Sequence, residues 1–298
     1  MIKRWQQLPS ANIAEVDSIK SNIEKDTTKL VVGIMHVTRD PWLSIVRKGQ
    51  LPSWEKFNKN DLKVIYFFSN SNRFFSFIDR IIEAMRWRKG RYASYAISYL
   101  LMFFLRPWIN QIPKPQIASS YESKIDAISL RVNIPELTAT MRWKKIAFLQ
   151  YFLHNTSAKF VIISTSSSVL NIKRIYEYIK SINGDSTCLY AGSLQQSHDC
   201  LFTSGSFTLL SRKAAAMLLE NKRHMPVHVM DDIAFGSAFK QLGIKPVSLD
   251  SVNIDSLEKL NSYNDNNLSR YFHFRLKSGD LKGRNDVQIM NKLIDRIK

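Results

Sequence analysis

Apolar and polar positions alternate along this chain in blocks that change period, and the blocks predict the elements. "KLVVGIMHV" (Lys29 to Val37) and "LKVIYFFS" (Leu62 to Ser69) are short, nearly continuous apolar runs rich in β-branched and aromatic residues, as strands buried on both faces are. Between Phe74 and Met85 the apolar residues fall at helical spacing. "KIDAISLRV" (Lys124 to Val132) predicts another strand. "IPELTATMRWKKIAFLQYFLHN" then carries Leu137, Met141, Ile146, Leu149 and Leu153 on one stripe, which predicts a long helix opened by its proline. "AKFVIIS" is the next strand, and "IKRIYEYIKSI" an amphipathic helix. "TCLYAGS" and "CLFTSGSFTLLSRKAAAMLLENK" predict two short strands and a helix. "DDIAFGSAFKQLGI" predicts a helix, "KPVSLD" a short strand, "YFHFRLKS" a strand-like segment and "NDVQIMNKLIDRI" a closing helix.

Strands separated by helices predict an α/β fold with a mostly parallel central sheet and helices on both faces. In such sheets ligands gather where strands end and helices begin. The run "FVIISTSSSVLNI" (Phe160 to Ile172) makes that transition near the middle of the strand series. It carries Ser164, Thr165, Ser166, Ser167 and Ser168 at its tip, and no carboxylate. No composition shift divides the chain, so residues 29–298 read as one domain after an N-terminal extension over 1–28.

Composition adds charge to this picture. The 298 residues hold 43 Lys plus Arg against 25 Asp plus Glu, a formal net charge of +18, which points to a polyanionic partner or phosphorylated substrates. "RWRKGRYASYAISYLLMFFLRPWI", at about 86–109, sets Arg86, Arg88, Lys89 and Arg91 beside Trp87, Tyr92, Tyr95, Phe103, Phe104 and Trp108. Its apolar part, Tyr99 to Leu105, is shorter than the roughly 20 residues a spanning helix needs. Two readings remain open: an interfacial element on anionic lipid, or a buried helix of a large core. Nucleic acid ranks last among polyanions, because the aromatic residues lie mostly in apolar runs and no nucleic-acid module signature occurs. Cys188 and Cys200 are the only cysteines, too few for a disulfide scaffold. The polar start "MIKRWQQLPSANIAEVDSIK" lacks a signal-peptide pattern, so the expectation is a cytoplasmic protein, peripheral on the inner face of the membrane.

Phosphate-loop, dinucleotide-binding and nucleophile-elbow glycine motifs are all missing, and the six histidines form no metal pair. Two stretches carry chemistry instead. Asp231 and Asp232 stand side by side at a helix start, where a carboxylate serves either as a general base or as a cap with an N1 acid. Ser204-Gly205-Ser206 interrupts two apolar runs, as a close approach to a ligand or a simple turn would.

Taken in order, these stretches resemble the β-1,3-glycosyltransferase family that contains galactosyltransferases and fringe proteins. "FTSGSFTLLS" (Phe202 to Ser211) and "DDIAFG" (Asp231 to Gly236) resemble two of its motifs. "ESKIDAISL" with "PELTATMRWKKIAFLQYF" is similar to its upstream strand and helix. The likeness runs from about Glu122 to Asp250. It implies a GT-A-like fold and inverting transfer of a hexose from a nucleotide sugar, usually UDP-linked, to a glycan or glycolipid hydroxyl. Asp232 matches the family's catalytic base and Asp231 its acidic neighbour, while His273 corresponds to a late histidine that helps bind metal and diphosphate. The Ser166, Ser167 and Ser168 loop lies where the family has aspartates that hold Mn²⁺. Serine hydroxyls are poor ligands for such an ion. The expectation is therefore a transferase in which Mn²⁺ is dispensable or weakly held, with Arg275 and Lys277 neutralising the leaving diphosphate. Ser204 and Gly205 join the substrate-binding set. Two alternatives stand: a catalytically inactive glycosyltransferase-like binding or assembly protein, or acids placed elsewhere, for example at Asp199.

Overall fold

The computed structural model describes residues 28–38, 40–54, 61–70, 77, 116–120, 127–136, 140–182, 187–197, 200–226, 229–276 and 284–297. The N-terminal extension, most of the predicted helix after Asn70, and the basic and aromatic segment at 86–109 lie outside them. So do Asp199 and Lys277.

Strands β1 (Leu30–Met35), β2 (Leu62–Asn70), β4 (Ala127–Pro135) and β5 (Phe160–Thr165) form a parallel block in the order β4-β2-β1-β5. Antiparallel β3 (Gln116–Ser120) closes one side. On the other, antiparallel β8 (Cys200–Ser211) pairs with β7 (Tyr190–Ser197), and the two-residue β9 (Val247–Ser248) ends the eight-stranded sheet. A smaller sheet joins β10 (Ser251–Asn253), β11 (His273–Arg275) and β6 (Ser168–Leu170). The predicted mixed α/β architecture, with a mostly parallel centre, is what the chain adopts.

The apolar runs are nearly continuous because both faces of the central strands are covered. Leu30, Val32 and Ile34 of β1 pack on one side with Ile172, Ile175 and Ile179 of the helix Ile172–Lys180. Val31 packs on the other side with Ile146, Phe148 and Leu149 of the helix Met141–Asn155. Gly33 belongs to that second face, and a Cβ there would come within 2.2 Å of the Phe148 ring. The glycine lets the helix lie close against the middle of the sheet. A third core, around Phe274, Leu268, Ile289 and Leu293, seats the closing helix Asp286–Ile297 behind the small sheet.

Two sequence expectations change. The long helix begins at Met141, not at the proline, because Pro135 ends β4 and pairs with Asn70. The two short strands of the second half are long, eight and twelve residues. Between Leu194↔Thr203 and Gly192↔Thr208, β8 advances five residues while β7 advances two. Residues 204–207 therefore bulge away from β7, while Phe207 stays paired with Ser164 at the end of β5.

Candidate active site at the carboxyl edge of the sheet

β1 and β5 run parallel, so both deliver their carboxyl ends to one edge. The serine turn leaves β5 there and is tied down on every side. Ser164 Oγ donates to Ser206 O at 2.8 Å, and Ser166 N donates to Met35 O at 3.3 Å. The buried Gln50 amide donates to Ser166 O and Ser168 O at 3.0 and 2.6 Å, while its carbonyl accepts from Trp54 Nε1 at 2.8 Å. Ser168 Oγ lies 3.1 Å from Thr165 Oγ1, 3.4 Å from Ser206 O and 3.0 Å from His273 Nε2.

His273 is fully enclosed. Its ring stacks on Phe207 with centroids 5.1 Å apart, and Nδ1 lies 3.3 Å from Ser251 Oγ. One hydroxyl on each nitrogen suits either neutral tautomer. Burial, reinforced by the charge of Arg275, pushes the ring down to about 3, so it stays neutral.

The helix Asp231–Gln241 begins opposite this turn. Met230 is its N-cap, so neither aspartate caps it in the usual sense; Asp231 and Asp232 occupy its first two positions, where the helix dipole favours negative charge. Asp231 forms a buried ion pair with Lys145, which is 2% exposed. Asp232 is half-buried. It accepts from Gly205 N at 3.3 Å and from Ile233 N at 2.9 Å. Burial raises its carboxyl above the ordinary range and the charge of Asp231 adds to that, while Lys145 and the two amides oppose. Gly205 has a local reason: a Cβ there would sit 3.0 Å from Lys145 Nζ and within 3.6 Å of both carboxylates. The bulge of β8 thus admits a buried lysine beneath the aspartate pair.

Residues 145–250 match the family model described as Galactosyltransferase. The matched stretch contains the serine turn, the β8 bulge and the aspartate pair. Over that stretch, about a third of its length, the chain is similar to galactosyltransferases. Among solved structures, the glycosyltransferase GlyE of Streptococcus pneumoniae TIGR4 aligns at 10% identity with a TM-score of 0.42, over 90% of this chain and 60% of its own length. Mouse xyloside xylosyltransferase 1 in its apo form aligns at 12% identity with a TM-score of 0.38, over 87% of this chain and 98% of its own. No curated protein sequence matches the chain.

The expected residues Ser166, Ser167, Ser168, Ser204, Gly205, Asp231, Asp232, His273 and Arg275 all lie around one edge. The loop itself does not fit a divalent metal. Its side chains are neutral hydroxyls, His273 uses both nitrogens on serines, and no group of three His, Cys, Asp or Glu side chains converges among the described residues. Both nitrogens of His273, expected to help bind metal and diphosphate, face serine hydroxyls in this structure.

Sequence reasoning passed over three contributors. Lys145 sat inside a helix read only for its apolar stripe. The signal was there: Arg142, Lys144 and Lys145 crowd one turn, and all three are buried. Lys144 pairs with Glu136, whose other oxygen accepts Ser69 N at 3.1 Å. Arg284 lies far along the chain, yet it donates to Ser167 Oγ at 2.7 Å. Gln50 gave no signal in sequence.

Proposed function

We propose that the protein is an inverting glycosyltransferase moving a hexose from a nucleotide sugar, UDP-linked, to a hydroxyl of a glycan or glycolipid. The observation that carries this reading is the setting of Asp232. A half-buried carboxylate, raised in basicity by burial and by Asp231 yet fixed by two backbone amides, is suited to accept a proton. Asp232 removes the acceptor hydroxyl's proton as its oxygen attacks the anomeric carbon. The bond from that carbon to the donor's diphosphate breaks, and its electron pair leaves with the diphosphate. Lys145 and Asp231 hold Asp232 in place and set its basicity. Gly205 and Ser204 line the same edge and position substrate.

The test is turnover of UDP- and GDP-hexoses with a mixed glycan and glycolipid acceptor panel, with and without Mn²⁺. Release of nucleoside diphosphate that depends on acceptor supports the reading, and no turnover of any donor refutes it. The second reading, a binding or assembly protein without transfer, draws on the Asp231–Lys145 pair, which has a structural use of its own. Donor binding without turnover would favour it.

The proposed setting is the cytoplasmic face of a membrane. It is motivated by the net charge of +18 and the basic, aromatic segment at 86–109. Among the described residues no helix is long and apolar enough to cross a membrane. Flotation with vesicles containing anionic lipid should carry wild-type protein and lose a variant with Arg86, Arg88, Lys89 and Arg91 changed to alanine. Equal flotation of both would refute it.

A further inference from the structure

We propose that Arg275 is the charge partner of the donor's diphosphate, and that Arg284 is the positioning residue that holds the serine turn against it. This rests on the transferase reading above and assigns the phosphate site within it.

The loop that would carry acids for a cation carries hydroxyls, so positive charge must reach the diphosphate from elsewhere. Among the described residues, Lys145, Arg284 and Arg275 lie at this edge, and their partners separate their roles. Lys145 is buried and paired with Asp231. Arg284 is 6% exposed at its side chain: Nε and Nη2 donate to the two oxygens of the buried Asp286 at 2.9 and 2.6 Å, and its guanidinium lies 4.5 Å over the Trp42 ring. Its remaining engagement is the 2.7 Å bond to Ser167 Oγ. A guanidinium locked by a carboxylate fork and an aromatic face is a fixed post, and the turn is fastened to it.

Arg275 is different. It ends β11 directly across from Ser168 in the antiparallel pair with β6, and the next residue, Leu276, donates its N–H to Ser167 O at 2.8 Å. Backbone pairing therefore fixes its Cα beside the turn. Its side chain is half-buried, and among the described residues no carboxylate forms an ion pair with it. Burial lowers its guanidinium below the ordinary range, the charge of Asp232 opposes that and the charge of Arg284 adds to it. A planar, permanently charged fork whose backbone is pinned beside the serine turn matches a phosphate group. As the anomeric carbon–oxygen bond breaks, negative charge grows on the diphosphate oxygen, and Arg275 stabilises it by hydrogen bonds without giving up a proton. Serines suit such a turn because carboxylates there would form ion pairs with Arg275 and Arg284 and repel the diphosphate.

The test is calorimetric titration of the full chain with UDP and with GDP, in EDTA and in Mn²⁺, for wild type, Arg275→Gln, Arg275→Lys and Arg284→Gln. Thermal melts report folding. Wild type should bind one of these diphosphates in EDTA with affinity close to that in Mn²⁺. Arg275→Gln should weaken binding about tenfold or more, with an unchanged melt, and Arg275→Lys should weaken it less. Arg284→Gln should weaken binding and lower the melting temperature together. Binding that requires Mn²⁺, or an Arg275→Gln variant that binds like wild type, overturns the proposal and leaves the transferase reading standing. Absence of binding to either diphosphate in both media overturns the two together.

Discussion

The serine turn after β5 and the aspartate pair at the start of the helix Asp231–Gln241 face each other across one edge, and they use polar groups in opposite ways. In the turn, hydroxyls are consumed internally: Ser164, Ser167 and Ser168 bond to Ser206 O, Arg284 and His273 within the fold. At the aspartate pair one carboxylate is buried against Lys145, and the other is held half-buried with raised basicity. The difference teaches that two neighbouring ends of the fold can spend polar groups differently, one on bonds that fix a rigid turn and the other on a half-buried carboxylate of raised basicity.

The largest expected effect is on turnover. Asp232→Asn keeps the shape and removes the base, so kcat should fall by about a hundredfold or more with little change in donor binding. A variant that keeps full kcat would strip Asp232 of its role. Next comes Lys145→Met, which leaves Asp231 buried without its counter-charge. Urea unfolding should show a loss of about 3–5 kcal/mol, largely recovered by adding Asp231→Leu. An acid placed in the turn should sharpen the contrast. Ser168→Asp sets a carboxylate against Ser206 O inside the fold and should cost about 2–3 kcal/mol, whereas Ser167→Asp faces Arg284 and should stay within about 1 kcal/mol of wild type. If Ser168→Asp proves as stable as Ser167→Asp, the turn is not the rigid one described here.

The smallest effect is a slope with pH. His36 and His273 are held neutral by burial, at about 4 and about 3 against an ordinary value of 6.5. Below 6.5 the unfolded chain binds protons that the folded one refuses. The stability they confer is complete above that pH and declines as pH falls toward 4, by roughly 1.4 kcal/mol per pH unit for each ring. Denaturation series from pH 7 to pH 4.5 should show this decline, and His273→Gln should flatten it. A slope unchanged in His273→Gln would mean that this ring is not buried neutral.

Much of this was legible in the sequence, for identifiable reasons. Strands such as Leu30–Met35 and Phe160–Thr165 announce themselves because burial on both faces demands unbroken apolar runs. The bulge of β8 away from β7 is visible as Ser204-Gly205-Ser206, but not its purpose, because Gly205 makes room for a lysine 60 residues earlier. Arg284 and Ser167 are 117 residues apart, and no local period couples them. The helix start was misplaced because proline at a helix opening and proline at a strand end look alike until Pro135 pairs with Asn70.

The most direct measurement of the central claim is the anomeric configuration, by NMR, of the product made from an α-linked nucleotide hexose. Wild type should give a β-linked product, and Asp232→Asn almost none. An α-linked product, or equal β-product from both proteins, would contradict the assignment of Asp232 as the base of an inverting transfer.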